Sequence, residues 1–217
     1  MNTQLARFNM VEQQIRPWSV LDLRVLGLLS QLERSQFVPA AFTSLAYSDT
    51  EIPLAHGEHM LAPRVDARLL QDLQLQPHES VLEIGTGSGY LTALLAQSCA
   101  QVLSLECHPD LVASAQQNLA QAGVRNVQVR HSTGVPTALP EGPFDALVLG
   151  GSVASVPAAL LNLLKPNGRM LAVVGDEPMM QATRITRQAN GQGHRQILWD
   201  VVTPRLHGFA ETPAFHF

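Results

Sequence analysis

The strongest constraint on the fold is a segment with glycine at alternate positions, Glu83-Ile84-Gly85-Thr86-Gly87-Ser88-Gly89-Tyr90. A strand-sized apolar stretch at 80–84 leads into it, and a helical pattern over 90–97 follows it. Glycine permits a sharp turn and a close approach of backbone to ligand, and the free N–H groups at a helix start bind anionic groups. This order predicts a ligand-binding α/β sheet rather than a glycine turn without a ligand.

Strand-like and helical patterns alternate along the rest of the chain, which is typical of βαβ units and a parallel sheet. The predicted strands are 80–84, 101–105, 127–130, 144–149 and 169–174, and the predicted helices are one beginning at Pro63, then 90–97, 109–122 and 157–164. Extended segments at 182–188 and 195–202 flank a turn at 190–193. The predicted fold class is α/β, a Rossmann-like doubly wound, mostly parallel sheet with an antiparallel C-terminal strand pair.

The chain has 217 residues, of which 46% are hydrophobic, and this length suits one domain with a single sizeable core. Apolar residues recur at helical spacing over 4–32 with a break at Pro17, and an irregular polar stretch covers 43–62. We therefore expect an N-terminal helical extension and loop over 1–62, attached to a Rossmann-like core over 63–217.

An acidic residue, Glu106, ends the second predicted strand about 20 residues after the glycine loop, where a carboxylate can bind both hydroxyls of a ribose. The ligand is therefore expected to contain adenosine. A dinucleotide fingerprint would need glycine where Tyr90 stands, so a dehydrogenase is the weakest alternative. No GxxxxGK[ST] lysine is present for a nucleotide phosphate.

An acid inside the first strand followed by G-x-G-x-G resembles the first motif of class I methyltransferases, whose loop bends around the amino-acid end of S-adenosylmethionine. Ligands of open α/β sheets bind outside the carboxyl ends of the strands, so the loops at 132–134 and 150–152 should also face this cofactor. The predicted cofactor-binding residues are Glu83, Gly85, Thr86, Gly87, Ser88, Gly89, Tyr90, Glu106, Cys107, Ser132, Thr133, Gly134 and Gly150.

More of the chain, from about Met10 to Gly208, resembles the protein-L-isoaspartate O-methyltransferases. The resemblance includes Met10-Val11 with Gln14-Ile15, Phe37-Val38-Pro39, the whole of 81–90, and Phe144-Asp145-Ala146. The glycine motif marks only the superfamily, whereas the N-terminal segments indicate this family. The resemblance implies methylation of the α-carboxylate of isoaspartyl residues in damaged proteins, with 1–62 supplying the acceptor-side loop.

The sequence departs from the family where the acceptor is expected to bind. The family has Gly-x-Thr-Ile-Ser-x-Pro before the first long sheet helix, and here the stretch is Gly57-Glu58-His59-Met60-Leu61-Ala62-Pro63. Leu61 replaces the serine and offers no side-chain hydrogen bond, whereas His59 replaces the threonine and can donate to a carboxylate when protonated. We expect His59 and Leu61 to shape the acceptor pocket. A different carboxylate or small-molecule acceptor, or a non-catalytic cofactor-binding module, stays an alternative.

Composition excludes other classes of function. The net charge is -4 with no basic run, so no nucleic-acid partner is expected, and no apolar run approaches the length of a membrane helix. Residues 1–9 lack a basic region followed by an apolar one, and Cys99 and Cys107 fit neither a disulfide framework nor a metal-binding pair. We expect a reducing, cytoplasmic setting and no metal, and we make no prediction of the oligomeric state.

Overall fold

The computed structural model describes residues 3–211. Its α-helices are α1 (Thr3–Asn9), α2 (Leu23–Gln31), α3 (Pro63–Leu73), α4 (Tyr90–Ala96) and α5 (Pro109–Gln121). Shorter turns are a π-helical turn at Met10–Ile15 and 3-10 turns at Arg16–Trp18, Arg34–Phe37, Ala40–Leu45, Ala55–Gly57 and Ala158–Leu163. The strands are β1 (Ile52–Pro53), β2 (His59–Met60), β3 (Ser80–Ile84), β4 (Gln101–Glu106), β5 (Val127–His131), β6 (Phe144–Val153), β7 (Leu164–Val174), β8 (Gln181–Arg187) and β9 (Gly193–Asp200).

Seven strands form one sheet in the order β5-β4-β3-β6-β7-β8-β9. The strands from β3 to β7 pair in parallel, whereas β8 pairs antiparallel with β7 and β9 pairs antiparallel with β8. β4 and then β5 extend the sheet on one side of β3, whereas β6 and the later strands extend it on the other side. The strand order therefore reverses beside β3. Ligands bind at such a reversal in open α/β sheets. The predicted fold class, including the antiparallel C-terminal strands, is confirmed.

Both faces of the central strands are covered, which explains why these strands read as short, continuous apolar runs. On β3, Val81 joins the apolar cluster formed with the N-terminal extension, α3 and α4, whereas Leu82 joins the cluster on the opposite face. Ala146 and Leu147 divide in the same way on β6. Alternate side chains point to opposite faces of a strand, so this pattern places β3 and β6 inside the molecule.

The N-terminal extension packs on α3 through buried side chains and one glutamine. Met10 and Ile15 are fully buried in the cluster that includes the apolar face of α3. The Gln71 side chain on α3 accepts hydrogen bonds from the backbone N–H groups of Leu21 (2.7 Å) and Asp22 (3.0 Å). The helical pattern predicted over 4–32 is interrupted around Pro17, where a 3-10 turn gives way to a left-handed Ser19. The extension is therefore attached to the element that leads into the glycine loop.

Three local features differ from the sequence-based expectation. The helix predicted at 157–164 is a 3-10 turn at Ala158–Leu163 that runs directly into β7. The turn predicted at 165–168 lies within β7 as an irregularity, because the register with β6 moves from Phe144 opposite Leu164 to Ala146 opposite Arg169. The segment expected to be irregular contains a small antiparallel pair, β1 with β2, which positions His59.

Candidate functional site

Two adjoining cavities lie at the carboxyl ends of the parallel strands. The first cavity is lined by Glu58, His59, Ile84, Gly85, Gly87, Leu105, Glu106, Cys107, Ser132, Gly134, Gly150, Leu206 and His207. The second cavity is lined by His59, Met60, Leu61, Asp66, Gly85, Thr86, Gly87, Ser88, Tyr90, Leu91 and Gly150. Residues from the glycine loop, together with His59 and Gly150, border both cavities. A ligand that spans them would therefore pass directly over the glycine loop.

The backbone of the glycine loop requires glycine at positions 85 and 87, both of which line the two cavities. Gly85 (φ +93°) and Gly87 (φ +54°) have backbone conformations that other residues rarely adopt. A Cβ atom at Gly85 would come within 2.6 Å of the Leu206 side chain, and one at Gly150 would overlap the carbonyl oxygen of Gly85. The loops after β3 and β6 therefore touch through their backbones, and this close contact leaves backbone atoms exposed to the first cavity.

The Glu106 carboxylate joins the loop after β3 to the end of β4. Its Oε2 accepts the Gly87 N–H at 2.9 Å, and its Oε1 accepts the His108 N–H at 3.0 Å. The residue is only 5% exposed and lines the first cavity, so its carboxylate is both held in place and directed at the cavity. A carboxylate in this position suits the two hydroxyls of a ribose, so the residues present fit an adenosine-containing cofactor.

Glu83 supports the glycine loop from below and lines neither cavity. It is fully buried, and its Oε2 accepts hydrogen bonds from the hydroxyls of Thr92 (2.5 Å) and Ser104 (2.6 Å). The Ser104 hydroxyl also bonds to that of Thr86 in the loop, at 2.5 Å. Burial raises the pKa of Glu83 to about 8, so the carboxyl is largely protonated at neutral pH. Glu83 is thus a positioning residue rather than the cofactor contact that the sequence indicated.

Two further residues predicted to bind the cofactor lie outside the cavities. A Cβ atom at Gly89 would meet Ala115 and Leu119 at 3.4 Å, so this glycine allows α4 to approach α5. Thr133 is exposed, whereas its neighbours Ser132 and Gly134 line the first cavity. The remaining predicted cofactor residues are divided between the two cavities, which agrees with parallel strands ending at one edge of the sheet.

The second cavity is bounded by the N-terminal extension. The Leu61 side chain is 5% exposed, and its carbonyl accepts a hydrogen bond of 2.6 Å from the buried Arg34 guanidinium. That guanidinium also lies 5.0 Å from the centroid of the Tyr90 ring. Asp66 completes this wall, and burial raises its pKa to about 7. His59 and Leu61, which the sequence predicts to shape the acceptor pocket, therefore both border the second cavity.

Sequence reasoning missed five residues of the first cavity: Ile84 and Leu105 at the ends of strands, and Glu58, Leu206 and His207 on irregular segments. The C-terminal segment reaches the cavity because Ser152 on β6 holds it with two backbone hydrogen bonds, to Pro204 (2.7 Å) and from Leu206 (2.9 Å). Glu58 lies between the 3-10 turn and β2. No periodic pattern links these irregular segments to the glycine loop, so the sequence carries no local indication of their proximity.

A larger hollow of about 380 Å³ lies between α2 and α3, away from the carboxyl ends of the strands. Glutamine and leucine side chains supply much of its lining, and the charged pair beside it, Asp22 with Arg24, is already joined at 3.2 Å. It therefore lacks the converging polar groups that distinguish a site of chemistry.

Comparison with known proteins agrees with this geometry. The sequence profile of the family described as "Protein-L-isoaspartate(D-aspartate) O-methyltransferase (PCMT)" matches residues 6–203. A protein-L-isoaspartate O-methyltransferase from Methanoculleus marisnigri is 37% identical over 182 residues, or 84% of this chain and 83% of the relative. One from Myxococcus xanthus is 42% identical over 156 residues, or 72% and 74% of the two chains.

A solved structure with the same fold is a protein-L-isoaspartate O-methyltransferase from Plasmodium falciparum in complex with S-adenosyl-L-homocysteine. It superposes with a TM-score of 0.76 at 24% sequence identity, and the match covers 94% of this chain and 97% of that one.

The parallel sheet, the glycine loop and the Glu106 carboxylate define an S-adenosylmethionine-dependent methyltransferase. The chain belongs to the protein-L-isoaspartate (D-aspartate) O-methyltransferase family. The predictions of the family, the enzyme class and the cofactor are confirmed. Within residues 3–211, no helix has the length and apolar character required to span a membrane.

We predict that Gly87→Val abolishes cofactor binding, because a β-branched side chain is strained at φ +54° and would crowd Leu54, 3.3 Å from the new Cβ. Calorimetric titration with S-adenosylhomocysteine measures the loss. Gly27→Ala is the control, since a Cβ there meets nothing within 4 Å and the affinity should not change. Wild-type affinity in a folded Gly87→Val variant would contradict the placement of the cofactor.

We predict that Glu83→Gln reduces the loss of stability at alkaline pH. The folded-state pKa of about 8 exceeds the ordinary 4.5, so the free energy of unfolding falls as the pH rises between these values. Each tenfold difference in proton affinity is worth ~1.4 kcal/mol, so the effect should reach a few kcal/mol. Glutamine keeps an oxygen that can accept from Thr92 and Ser104 but does not ionise.

The measurement is urea unfolding at pH 6 and pH 9, with Glu12→Gln, at a partly exposed position, as control. The fall in unfolding free energy between the two pH values should be smaller in Glu83→Gln than in the wild type and in the control. An equal fall in all three proteins would show that the pKa of Glu83 is not raised in the folded protein.

Proposed function

We propose that the protein methylates the α-carboxylate of L-isoaspartyl residues in damaged proteins, with S-adenosylmethionine as methyl donor. The observation that carries this proposal is the family match over residues 6–203, which includes the N-terminal extension bordering the second cavity as well as the cofactor motif. Curated relatives at 35–42% identity carry the name of this activity.

The residues of the first cavity suit the nucleoside part of the cofactor. Glu106 would accept hydrogen bonds from the ribose hydroxyls, and Ser132 and Gly134 would lie near the adenine. Gly85 and Gly87 would leave room for the amino-acid end of the cofactor, over the boundary between the two cavities. When bound, the cofactor supplies an electrophilic methyl group on its sulfonium.

The acceptor would occupy the second cavity, where catalysis is mainly a matter of position. A carboxylate is already ionised at neutral pH, so its oxygen attacks without a general base. Side chains bordering the cavity that can donate hydrogen bonds include His59, Ser88 and Tyr90, and the Tyr90 hydroxyl is buried without a partner. These donors would hold the carboxylate in line with the methyl group, which lowers the barrier by fixing the reacting geometry.

Leu61 favours a second candidate function, methylation of a different carboxylate or of a small molecule. Its apolar side chain stands at the position where the family has a serine, in the wall of the second cavity. In a non-catalytic role, the protein would bind the cofactor in the same cavities without transferring its methyl group. Both alternatives share the fold and the cofactor, so only an assay with defined acceptors separates them from the leading proposal.

We also propose that the whole chain, 1–217, acts as one methyltransferase domain in a reducing, cytoplasmic setting, on protein or peptide acceptors rather than nucleic acid. The free thiols of Cys99 and Cys107 support the setting, and the net charge of -4 argues against phosphate neutralisation.

The test is transfer of label from radiolabelled S-adenosylmethionine to an isoaspartyl peptide, with the aspartyl peptide of the same sequence as control. We expect label in the isoaspartyl peptide alone. The variant His59→Ala should raise the peptide KM by roughly 10-fold or more, the cost of losing one hydrogen bond to a charged group. His194→Ala, at an exposed position on β9, should leave the KM unchanged.

Binding of S-adenosylhomocysteine without transfer to either peptide would overturn the isoaspartyl proposal. A panel of other carboxylates would then identify a different acceptor, and failure across the panel would favour the binding role.

A further inference from the structure

Three side chains able to bind a metal ion meet beside the first cavity, and two of them line it. The ligand atoms of Glu58, Cys107 and His108 all lie within 4.8 Å of one another. His108 Nε2 is 3.2 Å from Glu58 Oε1, and all three residues are half-buried. Two come from the connection between β4 and α5, and the third from the loop before β2, so the cluster joins segments that are far apart in sequence.

The separations approach those of a tetrahedral metal site. Zinc binds imidazole nitrogen, carboxylate oxygen and thiolate sulfur at about 2.0–2.3 Å, which places ligand atoms about 3.3–3.8 Å apart. The observed range, from 3.2 Å to within 4.8 Å, requires only small side-chain movements. The donor set of sulfur, nitrogen and oxygen suits zinc or cobalt better than magnesium or calcium, which prefer oxygen alone.

Neighbouring side chains already orient two of the three ligands. The His56 ring stacks on the His108 ring with 4.2 Å between centroids and 7° between planes. The His56 Nε2 in turn bonds to Asp110 at 2.8 Å. On the other side, His207 Nδ1 contacts the same Glu58 oxygen as His108 does. Such outer contacts orient ligands and raise metal affinity in known sites.

We propose that Glu58, Cys107 and His108 form a binding site for a zinc-type divalent cation, and that occupation of this site weakens cofactor binding. One carboxylate and one thiolate balance the two positive charges, and the imidazole is neutral. The Cys107 thiol proton is released to the buffer when sulfur binds the metal. Three protein ligands leave the fourth tetrahedral position to water.

The coupling to the cofactor follows from the shape of the first cavity and rests on the proposed placement of the cofactor there. Glu58 and Cys107 both line this cavity, and Cys107 directly follows Glu106. The cavity encloses only about 50 Å³, whereas pockets for small ligands usually hold ~300 Å³ or more. Admitting the cofactor therefore requires this cavity to widen, and the loop carrying Glu58 and the β4–α5 connection are two of the segments that line it. A metal ion bound to both segments would oppose that widening.

The site itself is tested by titrating the reduced full-length protein with Co²⁺, followed by absorbance. We expect a thiolate-to-cobalt charge-transfer band that Zn²⁺ abolishes. Cys107→Ala should lose the band, and His108→Gln should bind Co²⁺ at least about 10-fold more weakly. Cys99→Ala and His194→Ala are the matched controls and should bind as the wild type does. Absence of the band in the wild type, or its persistence in Cys107→Ala, would overturn the site.

The coupling is tested by calorimetry with S-adenosylhomocysteine, with and without saturating Zn²⁺. Zinc should weaken binding about 10-fold in the wild type and have a much smaller effect in Cys107→Ala, which also controls for zinc bound by the ligand itself. Equal affinity with and without bound zinc would overturn the coupling. Failure to bind the ligand even without zinc would contradict the proposed function instead, and the cobalt spectrum would still decide the metal site.

Discussion

The hydrogen bond from the Gly87 N–H to the Glu106 carboxylate fixes the loop after β3 against the end of β4. It forms because the two strands are parallel neighbours in register, with Ile84 opposite Leu105. The same carboxylate accepts the His108 N–H, so one side chain orients the glycine loop and the start of α5 together. The other parts of the site either support this junction from the core side, below the glycine loop, or cover it from the opposite side, above the loop.

Support from below comes from Glu83, whose bonds to Thr92 and Ser104 join β3 to α4 and β4 inside the core. Cover from above comes from irregular segments at opposite ends of the chain. The N-terminal extension supplies the wall containing Leu61, and the C-terminal segment places Leu206 against Gly85. The ends of the sheet strands thus form one side of the two cavities, whereas the segments that cover them are loops, as is usual for binding sites.

The sequence predicted the part of the site at the strand ends well and the loops that cover it poorly. The bounds of β3 agree with the prediction, and Gly85, Gly87, Glu106 and Ser132 meet in one cavity, because parallel strands bring their carboxyl ends to a common edge. Glu83 was predicted to contact the cofactor but lines neither cavity, because the sequence does not show on which side of the strand its carboxyl forms hydrogen bonds. Glu58 and His207 are 149 residues apart in sequence. No periodic pattern predicts a contact between two irregular loops so far apart along the chain.

The most direct test of this account is the affinity of the Glu106→Gln variant for S-adenosylhomocysteine, measured by calorimetry beside the wild type. Glutamine keeps the shape of the side chain and can still accept the Gly87 N–H through its one oxygen, but its amide nitrogen cannot accept the His108 N–H, and it removes the charge offered to the ribose hydroxyls. Hydrogen bonds to a charged group are worth ~1.5–3 kcal/mol, so the account predicts affinity lower by roughly 10- to 100-fold with the fold retained. Unchanged affinity would contradict the assignment of the first cavity as the nucleoside site.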